Sequence, residues 1–348
     1  MRALTIIPGK AGSTRLDDVP EPAGRQGSVL VDIRAVGVCG TDRDLLDGKY
    51  GAPPPGESRL IIGHEALGRV LEAPADSDFA PGDWVVPVVR LPDPVPCENC
   101  AAGEWDMCRN GQYTEHGIKE LHGFARERVR VPAQFLVSID ARLGTAGTGV
   151  LLEPTSVVAK AWDHIERIAK RAVWRPRRVL VTGAGPIGLL AALLATQRGL
   201  AVTMLDRNTT GPKPELARRL GADYVTSDAA AAAKAADVII ECTGAGSIIL
   251  DVIAAAPANA IVCLTGLSSA GRGVLVDMGS VNQSLVLENN VVFGSVNANR
   301  EHYEMAARAL RVAAPGWLGA LITRRHPLAD WATALEKRKD DVKVVLEP

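Results

Sequence analysis

The chain has 348 residues, enough to bury large cores and to make two domains. Its formal net charge of −1 gives no electrostatic reason to expect nucleic acid or an anionic membrane as a partner. The longest apolar run, Leu189 to Ala195, is too short to span a bilayer. Met1 to Ile6 runs into Pro8-Gly9 without the pattern of a signal peptide. The six cysteines, clustered in part at Cys97, Cys100 and Cys108, suit metal chemistry in a reducing compartment better than a secreted disulfide framework. A cytoplasmic protein is expected.

Residues 1 to 90 are β-rich. Ser28–Val36 and Gly68–Glu72 are strand candidates, and the turn Pro81-Gly82-Asp83 feeds an apolar run from Trp84 to Val89. Thr41-Asp42 ahead of Arg43–Leu46 caps a short helix, which puts Cys39 and Thr41 on the loop leading into it. Pro92, Pro94 and Pro96 then lead into Cys97-x2-Cys100-x7-Cys108, a loop with little to form a core. Phe124–Val131 alternates and returns to strand.

From about residue 150, strands and helices alternate. Strands are expected at 178–182, 201–206, 224–225, 237–241, 260–264 and 291–296. Helices are expected at 187–198 and 214–220 and in the alanine tract 229–236. This alternation predicts a parallel, doubly wound sheet. A helix over 300–312 and a last strand over 342–346 follow, and that tail is expected to return to the first domain.

Gly183-Ala184-Gly185-Pro186-Ile187-Gly188 lies between a predicted strand and a predicted helix. Its glycines permit a tight turn, close approach to a pyrophosphate and close helix packing, with the helix N-terminus facing the phosphates. Asp206 ends the next strand, where an acid binds the ribose 2′-OH of NAD and repels a 2′-phosphate. Arg207 beside it can take up that phosphate, so NAD is expected with NADP tolerated.

Cys39 and His64 offer zinc a thiolate and an imidazole while leaving a position open, and Glu153 offers a further oxygen. Zinc there would lower the pKa of a substrate hydroxyl, from which hydride departs, and Thr41 can pass on the hydroxyl proton. Glu65 is compatible with ligand, base or orienter of His64; we read it as a ligand. The three loop thiols make most of a structural zinc site, with Asp93, Glu115 and His116 near enough in sequence to supply a fourth donor.

With these residues assembled, the chain resembles the zinc-dependent medium-chain dehydrogenases, and within them the glucose 1-dehydrogenase family. The resemblance runs through Gly37–Arg43, Gly63–Gly68, Leu152–Ser156, Gly294–Asn299 with His302, and Asp341–Glu347. It implies an α/β protein in which a GroES-like β-rich catalytic domain, 1–154 and 299–348 with the cysteine loop 97–108 inside it, joins a Rossmann domain, 155–298. It also implies Cys39, His64, Glu65 and Glu153 as the catalytic zinc set, and sugar contacts at Thr41, Glu65, Glu115, Glu153, Asn297 and His302. Dinucleotide contacts are implied at Gly185–Gly188, Asp206–Asn208, Thr265-Gly266-Leu267 and Ser295-Val296-Asn297. The implied reaction is oxidation of an aldose, D-glucose first, at the anomeric carbon to the lactone, by a homodimer or homotetramer.

The chain departs from the family's pattern at several places. The first cysteine of the zinc loop is replaced near Asp93-Pro94, Val88-Val89 and Val157 stand where some relatives carry sugar-binding polar residues, and Asp206 stands where NADP-preferring relatives place asparagine. Lost polar contacts weaken strict glucose specificity. Two other functions compete: a dehydrogenase of another polyol, aldose or cyclitol, and a non-catalytic dinucleotide-binding sensor. The joint presence of Cys39, Thr41, His64 and Glu65 counts against the sensor.

Overall fold

The computed structural model describes residues 1–268, 273 and 275–348. They form two compact units, Met1–Ser156 with Asn297–Pro348, and Val157–Val296.

In the first unit the ten-residue strand Val29–Val38 is the axis of a seven-stranded sheet. Its alternating apolar side chains pack with Leu4, Phe124 and Leu346 into one core. Antiparallel pairing sets Gly37 opposite Glu65 and Val38 opposite Val344. The end of Val29–Val38, the start of Glu65–Glu72 and the start of Lys343–Glu347 therefore meet at one end of three neighbouring central strands. The tail does return to the first unit, but it brings more than one strand. Helix Pro315–Leu321 precedes the strand Ile322–Pro327, which pairs parallel to Lys343–Glu347.

The helix near Cys39 begins earlier than its sequence suggests. It spans Gly40–Leu46 with Cys39 as N-cap, so Thr41 lies in its first turn rather than on the preceding loop. The cause is Asp42, whose carboxylate reaches back to accept the Cys39 N–H at 2.8 Å. Helix Leu152–Ala169 is absent from the sequence expectations. Pro154 suggests a break there, but in a first turn proline displaces no helical hydrogen bond.

The second unit is built on a six-stranded parallel sheet, doubly wound as expected. In spatial order its strands are Asp223–Val225, Ala201–Leu205, Arg178–Thr182, Val238–Glu241, Ile261–Leu264 and Val291–Gly294. Leu180, Leu205, Ile239 and Val262 form a core with Ala229 and Ala233 of the alanine helix, which is shorter than its tract at Ala229–Ala233. The chain winds first to one side of Arg178–Thr182 and then, from Val238 onward, to the other. The order thus reverses between these two strands, where open parallel sheets bind ligands. Among the described residues no helix is long and apolar enough to cross a membrane.

Candidate functional site

Cys39 sits where the central strand gives way to helix, and His64 just before the strand Glu65–Glu72. Ligand atoms of Cys39, His64 and Glu65 lie within 4.8 Å of one another. Sulfur, imidazole nitrogen and carboxylate oxygen are the donor types of a zinc site that keeps a position open, so the donor set fits the metal. Asp42 holds the imidazole from behind: its Oδ1 is 3.4 Å from His64 Nδ1, and both side chains are buried. Burial opposes charge on His64, but the Asp42 carboxylate and the Cys39 sulfur outweigh it and hold the imidazole well above its usual pKa. Asp42 is also pushed upward by burial, yet His64 and the Cys39 N–H win and leave it lowered. A carboxylate at one ring nitrogen fixes the imidazole and leaves the other nitrogen for a metal.

Glu65 has a partner from the far end of the chain. Lys343 Nζ donates to Glu65 Oε1 at 2.7 Å and Oε2 at 2.5 Å, and both side chains are buried. A Cβ at Gly37, opposite in the ladder, would strike the Glu65 carboxylate, so the pairing needs glycine there. Glu153, buried in the first turn of Leu152–Ala169, is pushed up to about 8, first by burial and then by the charge of Glu65. The site therefore holds two acids beside a single ammonium group, an arrangement that favours an added cation.

The expected sugar contacts divide. Thr41 faces the Tyr50 hydroxyl. Glu115 Oε1 accepts from Asn297 Nδ2 at 2.6 Å and from Arg90 Nε at 3.0 Å, so the buried Glu115 and Arg90 meet the half-buried Asn297 in one group. Asn297 takes a left-handed backbone, φ 62°, which asparagine tolerates better than most residues. His302 makes other contacts, its Nδ1 lying 4.0 Å from Asp106 Oδ2. It is buried, and its Nδ1 accepts the Asn299 N–H at 3.2 Å as part of a helix capping box.

In the cysteine loop, Sγ atoms of Cys97, Cys100 and Cys108 lie within 4.8 Å of one another. Backbone N–H groups of Arg109 and Cys100 lower Cys97 to about 6, whereas burial raises Cys100 to about 11. Of the three candidate fourth donors, Glu115 is engaged with Arg90 and Asn297. His116 Nδ1 is 2.7 Å from the His122 carbonyl, with its ring tilted over Phe124. Asp93 is buried and keeps Oδ2 without a hydrogen-bond partner.

In the second unit, Gly183 has φ +90° and Gly188 packs onto the Gly183 carbonyl with no room for a Cβ. Pro186 and Ile187 open the helix Pro186–Gln197 behind Gly185. Asp206 Oδ2 accepts from Ala184 N at 2.8 Å and Oδ1 from Asn208 N at 2.9 Å. Its acid is thus tied to the glycine loop it must serve. Lys213 Nζ lies 3.9 Å from Asp206 Oδ2, while Arg207 is exposed. Thr265 and Gly266 both donate backbone N–H to the Glu241 carbonyl. Leu267 and Val296 are exposed, and Ser295 Oγ is buried with no hydrogen-bond partner.

Asp42 and Lys343 are the two residues of the metal-type site that motif reading leaves without a role. The signal for Asp42 is faint, an acid three positions after a cysteine N-cap. That for Lys343 is stronger: a lysine inside the apolar run Val342–Leu346, in a strand whose other side chains are almost all buried.

Two family models together cover most of the chain: "Alcohol dehydrogenase GroES-like domain" over residues 25–141 and "Glucose dehydrogenase C-terminus" over 146–348. The glucose 1-dehydrogenase of Methanocella arvoryzae is 41% identical, with 100% of this chain and 99% of that protein aligned. Glucose 1-dehydrogenase 2 of Vulcanisaeta moutnovskia is 40% identical over the same shares. Among solved structures, the Haloferax mediterranei glucose dehydrogenase in complex with NADP, Zn and gluconolactone superposes with a TM-score of 0.90 at 30% identity, covering 100% of this chain and 99% of that one.

Proposed function

The chain belongs to the glucose 1-dehydrogenase family of the zinc-dependent medium-chain dehydrogenases, and on that premise we propose that it oxidises an aldose, D-glucose foremost, at the anomeric carbon to the lactone. The observation that carries this reading is the donor cluster Cys39–His64–Glu65 with Asp42 and Lys343 built around it. Relatives named glucose 1-dehydrogenase, and one solved with Zn, NADP and gluconolactone, support it.

Cys39, His64 and Glu65 would hold the zinc with Glu153 beside them, and Lys343 shares the Glu65 carboxylate. Bound zinc supplies Lewis acidity that lowers the pKa of the anomeric hydroxyl. Thr41 takes the hydroxyl proton and passes it outward. A bound oxidised nicotinamide would supply the acceptor, at its C4, for the hydride that leaves the anomeric carbon. Glu115 and Asn297 hydrogen-bond the sugar hydroxyls as a pair, an arrangement that rejects sugars lacking the matching group.

Gly183–Gly188, Asp206, Asn208, Thr265–Leu267 and Ser295–Val296 hold the dinucleotide. The Asp206 carboxylate favours NAD, and Lys213 offsets enough of its charge for NADP to be used as well. A steady-state panel of glucose, galactose, xylose and sorbitol with each dinucleotide tests the assignment. Glucose is expected to give the highest kcat/KM, with NAD ahead of NADP. Faster turnover of sorbitol, which has no anomeric centre, would overturn the aldose reading.

The three loop thiols would hold a second zinc, with Asp93 Oδ2 and His116 Nε2, both buried and without a hydrogen-bond partner among the described residues, as the candidates for the fourth position. Six free cysteines suit a reducing cytoplasm. Val291–Gly294 is an edge strand, paired on one side with Ile261–Leu264, and exposed Met278, Val286, Leu287 and Val296 lie near it in the chain. This edge joins two copies into a continued sheet, giving a homodimer or a homotetramer built from it. Light scattering is expected to report twice or four times the chain mass; a monomer at micromolar concentration would end the idea.

A further inference from the structure

Glu241 is a fully buried acid that the reaction above does not use. It ends the strand Val238–Glu241 and pairs directly with Thr182, the last residue of Arg178–Thr182. These two strands flank the reversal of strand order, with the Gly183 turn immediately beyond. A buried carboxylate is costly unless its oxygens are filled. Here Oε1 accepts from Thr182 Oγ1 at 3.2 Å, from Thr243 N at 2.7 Å and from the Thr243 hydroxyl. Gly244 N donates to both oxygens, at 3.2 and 3.1 Å. The backbone carbonyl of Glu241 accepts from Thr265 N at 2.8 Å, Thr265 Oγ1 at 2.8 Å and Gly266 N at 3.0 Å.

One residue thus ties the ends of three neighbouring strands. Its carboxylate binds the loop that follows its own strand and reaches across to Thr182. Its carbonyl binds the loop that follows Ile261–Leu264. The two loops are fitted closely: a Cβ on Gly266 would meet both Glu241 Oε2 and Gly244 N, and Ser268 Oγ donates to the Gly244 carbonyl at 2.8 Å. The partners of the side-chain oxygens are hydroxyls and peptide N–H groups, all donors, so the acid serves as their shared acceptor.

We propose that Glu241 is a positioning residue for the dinucleotide, holding loops 242–245 and 265–268 at the spacing the cofactor requires beside the glycine turn. The inference rests on the dinucleotide reading given above. Glu241→Gln keeps the shape of the side chain and one acceptor oxygen, but it replaces the other with an NH2 group facing the Gly244 N–H and weakens the acceptor the two loops share. In the zinc-loaded enzyme, NADH titration followed by fluorescence is expected to show Kd raised about tenfold. The loss should appear in KM for the dinucleotide rather than in KM for the sugar. Thr243→Val, which removes one hydroxyl donor without changing shape, should raise Kd in the same direction by about threefold. It decides the matter if Glu241→Gln does not fold. Unchanged NADH affinity in the variants, with only the melting temperature lowered, would overturn the proposal and leave Glu241 a structural acid. Failure of the wild-type enzyme to bind NADH or NADPH would instead overturn the dinucleotide reading, and this proposal with it.

Discussion

Cys39→Ala is expected to lower kcat/KM for the sugar by about 10⁴-fold, the scale of the several kcal/mol that a Lewis-acid metal contributes. It removes the only sulfur from the donor cluster with His64 and Glu65, leaving an imidazole and a carboxylate already hydrogen-bonded to Lys343. Metal analysis separates this site from the cysteine loop. Wild-type protein should carry about two zinc ions per chain, and Cys39→Ala about one, the remaining ion being held by Cys97, Cys100 and Cys108. Asp42→Asn is the milder companion: the cap on Cys39 N can survive, but the negative charge behind His64 is lost, so zinc affinity should fall about 10–100-fold. Full zinc content and full turnover in Cys39→Ala would remove this cluster from the reaction.

In zinc-free protein, Lys343→Met should be the most destabilising single change at the site, at about 3–5 kcal/mol, because it leaves a buried carboxylate without its cation. Lys343 and Glu65 are about 1% and 2% exposed, so water cannot replace the lost partner. Glu153 next to them adds to the cost if ionised. The double change Glu65→Gln with Lys343→Met should recover most of the loss, since removing both charges also removes both desolvation penalties. Burial acts to lower the pKa of Lys343, but the charge of Glu65 outweighs it and the value is raised. For a folded-state pKa raised above the unfolded one, the stabilisation is fully present below the unfolded value and is lost as pH rises through the folded value. The gap between wild type and Lys343→Met in urea midpoints should therefore stay constant across neutral pH and close only in strong alkali. An unfolding free energy within about 1 kcal/mol of wild type, the scale of exposed pairs, would show that the pair is solvated after all.

Much of this architecture is legible residue by residue. The glycine turn at 183–188 is recognisable because phosphate binding at a helix N-terminus is a local property of a few consecutive residues. The alternation of strands and helices after residue 150 is legible because each buried parallel strand is a short apolar run. Boundaries are less so. Asp42 shifts a helix start through one side-chain hydrogen bond, and Pro154, which looks like a break, is accepted in the first turn of an eighteen-residue helix.

What the sequence by itself determined is the chemical kind of each group: a thiol just after one strand and an imidazole just before its partner, an acid at the end of the second parallel strand, three thiols in a proline-rich loop. Only the tertiary structure decided which charges meet. Lys343 and Glu65 are 278 positions apart, and they touch because Val344 pairs with Val38 and Gly37 with Glu65. Glu241 reads as an ordinary strand-end acid until the strand order sets it at the reversal point beside Thr182. Donor chemistry belongs to the side chain itself, whereas the pairing of buried charges depends on strand register, which arises only when distant segments share one sheet.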